Sequence, residues 1–483
     1  MHKILFRFGV DFSGKVYARR FNGTDSKEKD LANASPIPGN APVIAPGKNF
    51  SPVKPLRFGI LAASLSVLSV SVGCRSRDTV TANTLDPALM ATAKGEVVYC
   101  PLPLLASVIE QMDQPLIDAF NAQNNGVHIT VKPFSYTGDM DDAYDKSLDA
   151  KDCSCDIITP FYAIYKLSGK EQILDFSPYV ATRNGEFFSS IINSVSLNKK
   201  VLAIPIRADA MMFYYRPAIF GNTGQFSTWQ NLYSNAASHS NFVYNAGGVG
   251  LTANVISLLY QAGGELISAD GKTSKFQSPQ AHAVLNFLVS GVQSQVIPSQ
   301  ALTFTNNVGA SSFFAKTPSI GGLTDWSASK FRIDTEVPST QNSYKIVPLP
   351  AWAGREGQDP TGLIGSNFLS INAYSKNPNA ALKVIDYLSS AAAARHRALS
   401  AGTGPAIKSV YDDPAVREKI PYLDILYNSL LHGRARPNTS AYTEIDTVIS
   451  TYAAQALAGT LTVDQAVDQI DKGITKALQK YNH

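Results

Sequence analysis

The sequence predicts an α/β fold built around a largely parallel sheet, because strand and helix patterns alternate along it. Two apolar stretches, GEVVYCPL and CDIITPF, have the pattern of buried strands, and VHITVKPF alternates as a strand does. Two segments with helical spacing, PLIDAFNAQNNG and YDKSLDAKD, separate them. This alternation is typical of a parallel sheet. Ligands bind such sheets outside the carboxyl ends of the strands, which here carry residues 101–102, 135–136 and 159–162.

The rest of the chain continues with strands and helices in mixed order. Further strands are predicted for KVLAIPIRADAMMFYYRP, SYKIVPLPAW and NFLSINAYS. Helices are predicted for TWQNLYSNAAS, GLTANVISLLYQAGGELI, FQSPQAHAVLNFLVSGV and NPNAALKVIDYLSSAA. Ser278 is a predicted N-cap, with Pro279 at the first helical position. Two helices close the chain, and the second begins with a capping box formed by Thr462 and Gln465.

The charge of the chain is unevenly divided. Residues 1–74 hold 10 Lys/Arg and 4 Asp/Glu, a net of +6, whereas the whole chain is +4. The remainder therefore carries 32 Lys/Arg and 34 Asp/Glu, a net of −2. Because this balance offers no basic surface for phosphate backbones, we expect no nucleic-acid partner. About 400 residues follow this basic segment, enough for two or three domain-sized units.

Residues 54–74 have the pattern of a secretory signal peptide. A basic flank precedes GILAASLSVLSVSVGC, which is shorter than the roughly 20 residues of a membrane span. Its end resembles a bacterial lipobox, so Cys74 is the predicted lipidation site and the future N-terminus. Ser71 stands where an aliphatic residue is usual, which leaves ordinary cleavage and an uncleaved anchor open. A buried core helix or strand is the structural alternative.

Residues 1–53 show no leader pattern of their own. The stretch ANASPIPGNAPVIAPGKNFSP is rich in Pro, Asn, Gly and Ser and predicts disorder. Our hypothesis is that translation starts near Val53 from a non-standard start codon, so that residues 1–52 are a mis-annotated extension; a genuine cytoplasmic extension is the rival. Residues 75–94 are a predicted polar tether. We therefore expect an extracytoplasmic or periplasmic body, held to the membrane by a lipid.

The cysteines other than Cys74 favour one disulfide. Cys153 and Cys155 are too close in sequence to bridge each other easily. Cys100 with either of them is the predicted pair, which leaves one free thiol. A metal site is the alternative use of these residues, but no histidine accompanies them at metal-ligand spacing, so we expect no metal.

Several stretches, in order from about residue 95 to 480, resemble the family-1 extracellular solute-binding proteins, the maltose/trehalose-type sugar receptors of ABC importers. The stretches are DIITPFYAIYKLSGKEQILDFSPYV, VLAIPIRADAMMFYYRP, GLTANVISLLYQAGGELI, FQSPQAHAVLNFL, GLIGSNFLSINAYSKNPNAALKVIDYL, GRARPNTSAYTEI and GTLTVDQAVDQIDKGITKAL. Each match is weak alone, whereas their common order over nearly the whole body is specific. The resemblance implies a binding protein rather than an enzyme.

The resemblance implies a two-lobe periplasmic-binding-protein fold of type II, with hinge strands between the lobes and a ligand cleft. Lobe one would take residues 92–206 and 368–412, and lobe two residues 210–364 and 416–483. Hinge closure would capture a sugar, a di- or oligosaccharide or a glycoside, and deliver it to the permease subunits. The resemblance implies a monomer without a cofactor.

Sugars present flat apolar faces and a rim of hydroxyls, which aromatic rings, carboxylates, arginines and amides can satisfy. The segment TDWSAS resembles the family segment that carries a ring-stacking tryptophan. The resemblance implies that role for Trp326, with Asp325 beside it. The predicted ligand-binding residues are Tyr136, Thr159, Phe161, Tyr162, Arg207, Asp209, Asp325, Trp326, Trp352, Gly362, Gly365 and Arg436.

Each candidate also has a structural interpretation. Trp326 suits a core position, and Arg207 with Asp209 suits a hinge salt bridge. The aromatic residues at the strand ends suit packing, and the two glycines suit tight turns as well as close backbone approach to a ligand. Arg436 could contact the ligand in the cleft or could stabilise the loop near the end of the chain. Trp352 could form part of a lid over the cleft.

One departure from the family keeps other ligand classes open. Many relatives have an aspartate that bonds sugar hydroxyls where this chain has Thr159. A binding protein for a polyamine, a phosphate ester or a metal is the alternative function. A glycosidase needs two carboxylates that flank one bond, and Asp141–Asp142 and Asp412–Asp413 have the pattern of solvated positions instead.

Overall fold

The computed structural model describes residues 6–10, 16–20, 85–101, 112–134, 144–221, 227–239, 242–304, 308–357 and 362–481. The chain divides into two compact units, Met1–Ser71 and Val72–His483. In the first unit, β1 (Phe6–Val10) pairs antiparallel with β2 (Val16–Arg20). The predicted leader, its cysteine Cys74 and the first half of the predicted tether, residues 75–84, lie outside the described residues.

The strands of the second unit form one large sheet and one small pair. The strands are β3 (Gly95–Cys100), β4 (Val127–Val131), β5 (Ile157–Ile158), β6 (Ser196–Leu197), β7 (Lys200–Val201), β8 (Ile204–Tyr215), β9 (Phe242–Val243), β10 (Gly322–Trp326), β11 (Lys345–Val347) and β12 (Ile364–Ile371). The order in the large sheet is β4-β3-β5-β12-β8-β10-β9, and β11 also pairs with β8. β6 and β7 form the separate pair.

Helices pack around these strands. The helices are α1 (Gln114–Ala122), α2 (Asp145–Asp149), α3 (Ile164–Gly169), α4 (Ser177–Thr182), α5 (Ser189–Asn193), α6 (Pro217–Phe220), α7 (Trp229–His239), α8 (Gly248–Gln261), α9 (Pro279–Gln293), α10 (Gly309–Lys316), α11 (Ser329–Glu336), α12 (Pro378–Leu388), α13 (Ala391–Ala401), α14 (Pro414–Lys419), α15 (Leu423–His432), α16 (Tyr442–Leu457) and α17 (Val463–Tyr481). None of the described helices combines the length and the apolar character that a membrane crossing requires.

The predicted helix starts are confirmed in atomic detail. The Ser278 hydroxyl accepts a hydrogen bond from the backbone N–H of Ala281 at 3.3 Å, which caps α9. Thr462 and Gln465 form the reciprocal capping box at the start of α17, with hydrogen bonds of 2.9 and 3.2 Å. Both helices therefore begin where side chains satisfy backbone donors that the helix itself leaves unpaired.

The predicted parallel sheet is confirmed at its amino-terminal end. β3 pairs parallel with β4 and with β5, in a register that places Val97 opposite Ile129 and Tyr99 opposite Ile157. α1 makes the first crossover, and its buried face carries Leu116, Ile117 and Phe120. The apolar side chains Val97, Tyr99, Val127 and Ile129 of these strands are thus buried, because helices cover the sheet.

Strand β8 joins the two halves of the sheet. Its first half, from Ile204 to Ala210, pairs antiparallel with β12, and its second half pairs with β10 and β11. β12 returns in the opposite direction and reaches β5 with Ser370 and Ile371. The stretch IPIRADAMMFYY is almost entirely buried because strands flank it and helices cover it.

A disulfide ties the start of the β5 region to the end of β3. Cys100 bonds to Cys155, with their Cα atoms 5.7 Å apart, so one of the two predicted pairings is confirmed. The Tyr144 hydroxyl donates a hydrogen bond of 2.7 Å to the Cys100 carbonyl at the same place. Cys153 is disulfide-bonded as well, so the expectation of a free thiol was wrong.

A buried ion pair fixes α13 against the rest of the body. Arg397, which is 1 % exposed, pairs with Asp113 at 2.5 Å, immediately before α1. Its Nη1 donates to the carbonyls of Leu388 at 2.6 Å and Ile206 at 3.5 Å. One guanidinium therefore connects α13 to α12, to the start of α1 and to β8.

Replacement of Arg397 by methionine should lower the free energy of unfolding by about 3–5 kcal/mol. The substitution leaves the Asp113 carboxylate buried without its partner, which costs far more than the loss of an exposed pair. Urea denaturation followed by circular dichroism measures the change.

Arg395→Met is the matched control because Arg395 lies on the same helix and pairs with Asp413 at the surface. This variant should lose about 0–1 kcal/mol. Equal losses in the two variants would contradict the role assigned to the buried pair.

Candidate functional site

A cleft of about 810 Å³ lies where β8 and β12 cross between the halves of the sheet. The segment that follows β5 forms one side, and the end of β10 with the loop before α16 forms the other. The pairing of β12 with β8 shifts register between Asn367 and Phe368. Such a bulge re-aims side chains, and both of these residues line the cleft.

Aromatic rings form much of the cleft wall. They belong to Phe161, Tyr162, Tyr165, Trp326 and Phe368. Phe161 has a φ of 45°, a left-handed conformation that is uncommon for a bulky residue and clusters at functional sites. Phe161, Tyr162 and Tyr165 lie in the short helical segments that follow β5. The predicted strand end therefore does place aromatic side chains in the cleft.

Trp326 ends β10 and is held from several directions. The Tyr214 hydroxyl donates to the Trp326 carbonyl at 2.7 Å, and the Asp325 carboxylate accepts the Trp326 N–H at 2.9 Å. A Cβ atom on Gly365 would lie 3.1 Å from the indole ring. Gly365 therefore gives the ring room against β12, whereas the close backbone approach to a ligand that the sequence suggested for this glycine stays a prediction.

Asp209 lies in the cleft wall and fastens the turn after Trp326. Its Oδ1 accepts hydrogen bonds from the N–H of Ala210 at 3.0 Å, the N–H of Ala328 at 3.2 Å and the Ser327 hydroxyl. Burial raises the pKa of Asp209 to about 6, although these hydrogen bonds favour the charged form. Asp209 thus positions the segment that carries the tryptophan.

Arg436 reaches the cleft between two aromatic rings. Its guanidinium carbon lies 4.4 Å from the centroid of Tyr162 and 5.3 Å from that of Trp326. Burial acts to lower its pKa, but the phenols of Tyr162 and Tyr442 and the carboxylate of Asp446 outweigh burial and raise it. Its Nε and Nη2 are buried without a hydrogen-bond partner among the described residues.

Other predicted residues lie behind the cleft. Thr159 is buried, 3.3 Å from the Tyr144 hydroxyl, and lines a small adjoining cavity. The Asp325 carboxylate is buried behind Trp326, and its pKa is raised to about 7 by burial. Arg207 has its Nη1 3.6 Å from the sulfur of Met112. These residues support the cleft residues rather than line the cleft.

The remaining predicted residues lie elsewhere. Trp352 packs edge-on against Phe287 at 5.6 Å, away from the residues that line the cleft. Gly362 is buried, and a Cβ there would come within 2.4 Å of the Leu349 side chain. Tyr136 lies outside the described residues.

Sequence reasoning missed several cleft residues. They are Ile164, Tyr165, Ser194, Ile364, Ser366, Asn367, Phe368 and Ala435. The residues on β12 belonged to a predicted strand, but its bulge had no sequence signal. Among the described residues, no group of three or more His, Cys, Asp or Glu side chains has the arrangement of a metal site.

Residues 115–421 match the bacterial extracellular solute-binding proteins, and the chain belongs to this family. It is 25% identical over 300 residues to a probable ABC transporter-binding protein of Deinococcus radiodurans, covering 58% of this chain and 70% of that protein.

Solved structures show the same fold. The maltose-bound MalE3 of T. maritima is 22% identical, with a TM-score of 0.69 over 79% of this chain and 99% of its own. The GacH receptor of Streptomyces glaucescens is 17% identical, with a TM-score of 0.67 over 80% and 99%. The predicted α/β, two-lobe fold is therefore confirmed.

Replacement of Asp325 by asparagine should change how stability depends on pH. Its folded-state pKa of about 7 is well above the value near 4 in an unfolded chain. The folded state therefore binds the carboxyl proton of Asp325 more tightly than the unfolded state does. The contribution of this proton to the free energy of unfolding is complete below about pH 4 and is lost as the pH rises to about 7. Urea denaturation should show Asp325→Asn gaining stability relative to wild type over this range, by up to about 1.4 kcal/mol per pH unit.

Asp413 provides a control of opposite sign. Its hydrogen bond to Arg395 lowers its pKa, so its contribution is present above about pH 4 and is lost as the pH falls. Asp413→Asn should therefore be most destabilised, relative to wild type, at neutral pH. A pH-independent difference between Asp325→Asn and wild type would show that the Asp325 carboxyl does not titrate as assigned.

Proposed function

We propose that the chain is the extracytoplasmic substrate-binding component of an ABC importer and that it captures a saccharide in the cleft. The observation that carries this proposal is the pairing of aromatic faces with polar groups in one cavity. Trp326 and Tyr162 offer rings, while Ser366, Asn367 and Arg436 offer polar atoms. A sugar needs both kinds of surface, because its faces are apolar and its rim carries hydroxyls.

Capture is proposed to occur by hinge closure, for which periplasmic binding proteins are a familiar example. β8 and β12 are the natural hinge strands because they connect the two halves of the sheet. The proposed lobes take residues 92–206 with 368–412, and 210–364 with 416–483. Closure of such lobes would bring the aromatic segment after β5 toward Trp326.

The ligands and descriptions of the relatives support a saccharide-binding role. The T. maritima structure holds maltose, and the Streptomyces glaucescens receptor was solved with acarbose. The Deinococcus radiodurans relative is described as an ABC transporter-binding protein. We propose a monomer that delivers its ligand to permease subunits. Cys74 is the one cysteine left in the chain that could pair with the disulfide-bonded Cys153. We therefore propose a membrane anchor through a lipid on Cys74 as the alternative to that pairing.

The alternative ligands fit the cleft less well. A polyamine needs several free carboxylates, whereas Asp209 is the one carboxylate among the described lining residues and already accepts three hydrogen bonds. A glycosidase needs two carboxylates across one bond, and Asp325 is buried behind the tryptophan. The cleft chemistry therefore supports binding of a saccharide without its hydrolysis.

Trp326→Ala should weaken saccharide binding at least about tenfold, or about 1.4 kcal/mol. The substitution removes the largest ring of the cleft wall and the surface it offers to a sugar face. A thermal-shift screen of mono-, di- and oligosaccharides on the full-length chain identifies the ligand, because saturation at 100 times Kd adds about 2.7 kcal/mol. Calorimetry then compares the affinities of the variants.

Trp352→Ala is the matched control, since this tryptophan packs against Phe287 and does not line the cleft. Its affinity should equal that of wild type. A flat response of the wild-type protein to every saccharide would refute the sugar assignment, and equal losses in both variants would refute the role of Trp326.

A further inference from the structure

The free donors of Arg436 have a specific geometry. Its Nε and Nη2 are the two nitrogens without a hydrogen-bond partner among the described residues. Their N–H groups point in parallel from one edge of the planar guanidinium. This edge is the fork that binds both oxygens of a carboxylate side-on.

Two aromatic rings lie close to the same guanidinium. Tyr162 lies 4.4 Å and Trp326 5.3 Å from its central carbon. Contacts of this kind hold the cation against the faces of the rings and are compatible with in-plane hydrogen bonds from its edge. The Tyr442 hydroxyl and the Asp446 carboxylate stabilise the charge of Arg436, but its Nε and Nη2 have no hydrogen-bond partner of good geometry among the described residues.

The other charges near the cleft do not supply the missing anion. Oδ1 of Asp209 is committed to Ala210, Ser327 and Ala328. Arg207 lies two residues earlier on β8 but does not line the cleft, and Asp113 is the carboxylate that acts most strongly on its charge. The Nε of Arg207 also lacks a partner among the described residues. The two unpartnered donors of Arg436 are therefore the feature of the cleft that favours an anionic ligand.

We propose that the saccharide is acidic, and that its carboxylate binds side-on to Nε and Nη2 of Arg436 while a sugar ring lies against Trp326. The proposal rests on the proposed function and deepens it by naming the class of sugar, a uronate-containing saccharide. Because both nitrogens are buried, the acid reaches them while the lobes are open. The hydroxyl rim of the sugar is left to Ser366 and Asn367.

The test compares uronate disaccharides with their methyl esters by calorimetry on the full-length chain. The ester keeps the shape of the sugar and removes its charge. At least one acid should bind at least about tenfold more tightly than its ester, as expected of a hydrogen-bonded charge. Arg436→Gln should abolish this preference, and Arg436→Lys, which keeps the charge without the fork, should retain only part of it.

Arg434→Gln is the matched control. Arg434 lies two residues away, but its guanidinium pairs with Glu265 at 2.5 Å and does not line the cleft. The preference for the acid should be unchanged in this variant, and loss of the preference here would overturn the assignment to Arg436.

The wild-type comparison decides the inference even if a variant at Arg436 fails to fold. Equal affinities for acid and ester, or binding of neutral saccharides alone, would overturn the acidic ligand and leave the proposed function standing. Preference for a sugar phosphate over every uronate would also overturn it. Binding of no saccharide of any kind would defeat the proposed function itself.

Discussion

The antiparallel pairing of β8 with β12 is the constraint on which the cleft depends. These strands run between the two halves of the sheet, so their register decides which side chains meet there. The shift in register at Asn367 and Phe368 turns both residues toward the cavity. Asp209, on the facing strand, fastens the turn that presents Trp326. Backbone pairing therefore places the groups that side-chain hydrogen bonds then orient.

Much of the fold was predictable because its signals are local. Strands β3 and β5 lie within apolar stretches, β4 alternates between buried and exposed residues, and α9 and α17 begin at capping residues that the sequence displays. The segment 390–432 gave no comparable signal. Its helix α13 is rich in alanine, with Arg397 on its buried side, so neither an apolar stripe nor a polar face stands out.

The cleft was partly predictable, for a different reason. Phe161, Tyr162, Asp209, Trp326, Gly365 and Arg436 were named in advance and do line one cavity. Tyr165 and Ser194 reach it through turns whose course depends on tertiary packing, and no periodic pattern marks them. Thr159 and Asp325 were predicted to bind ligand but lie behind the cleft. A residue near a strand end can pack behind the cleft as readily as line it, and the sequence does not distinguish the two positions.

The disulfide between Cys100 and Cys155 has a consequence for how the chain is made. It closes a loop with a sequence separation of 55 residues, and a loop of this length restricts the unfolded chain by an amount worth about 4 kcal/mol. Before oxidation the same polypeptide lacks this stabilisation. A newly synthesised chain in a reducing cytoplasm is therefore easier to keep unfolded for translocation, and it gains its full stability on reaching an oxidising compartment.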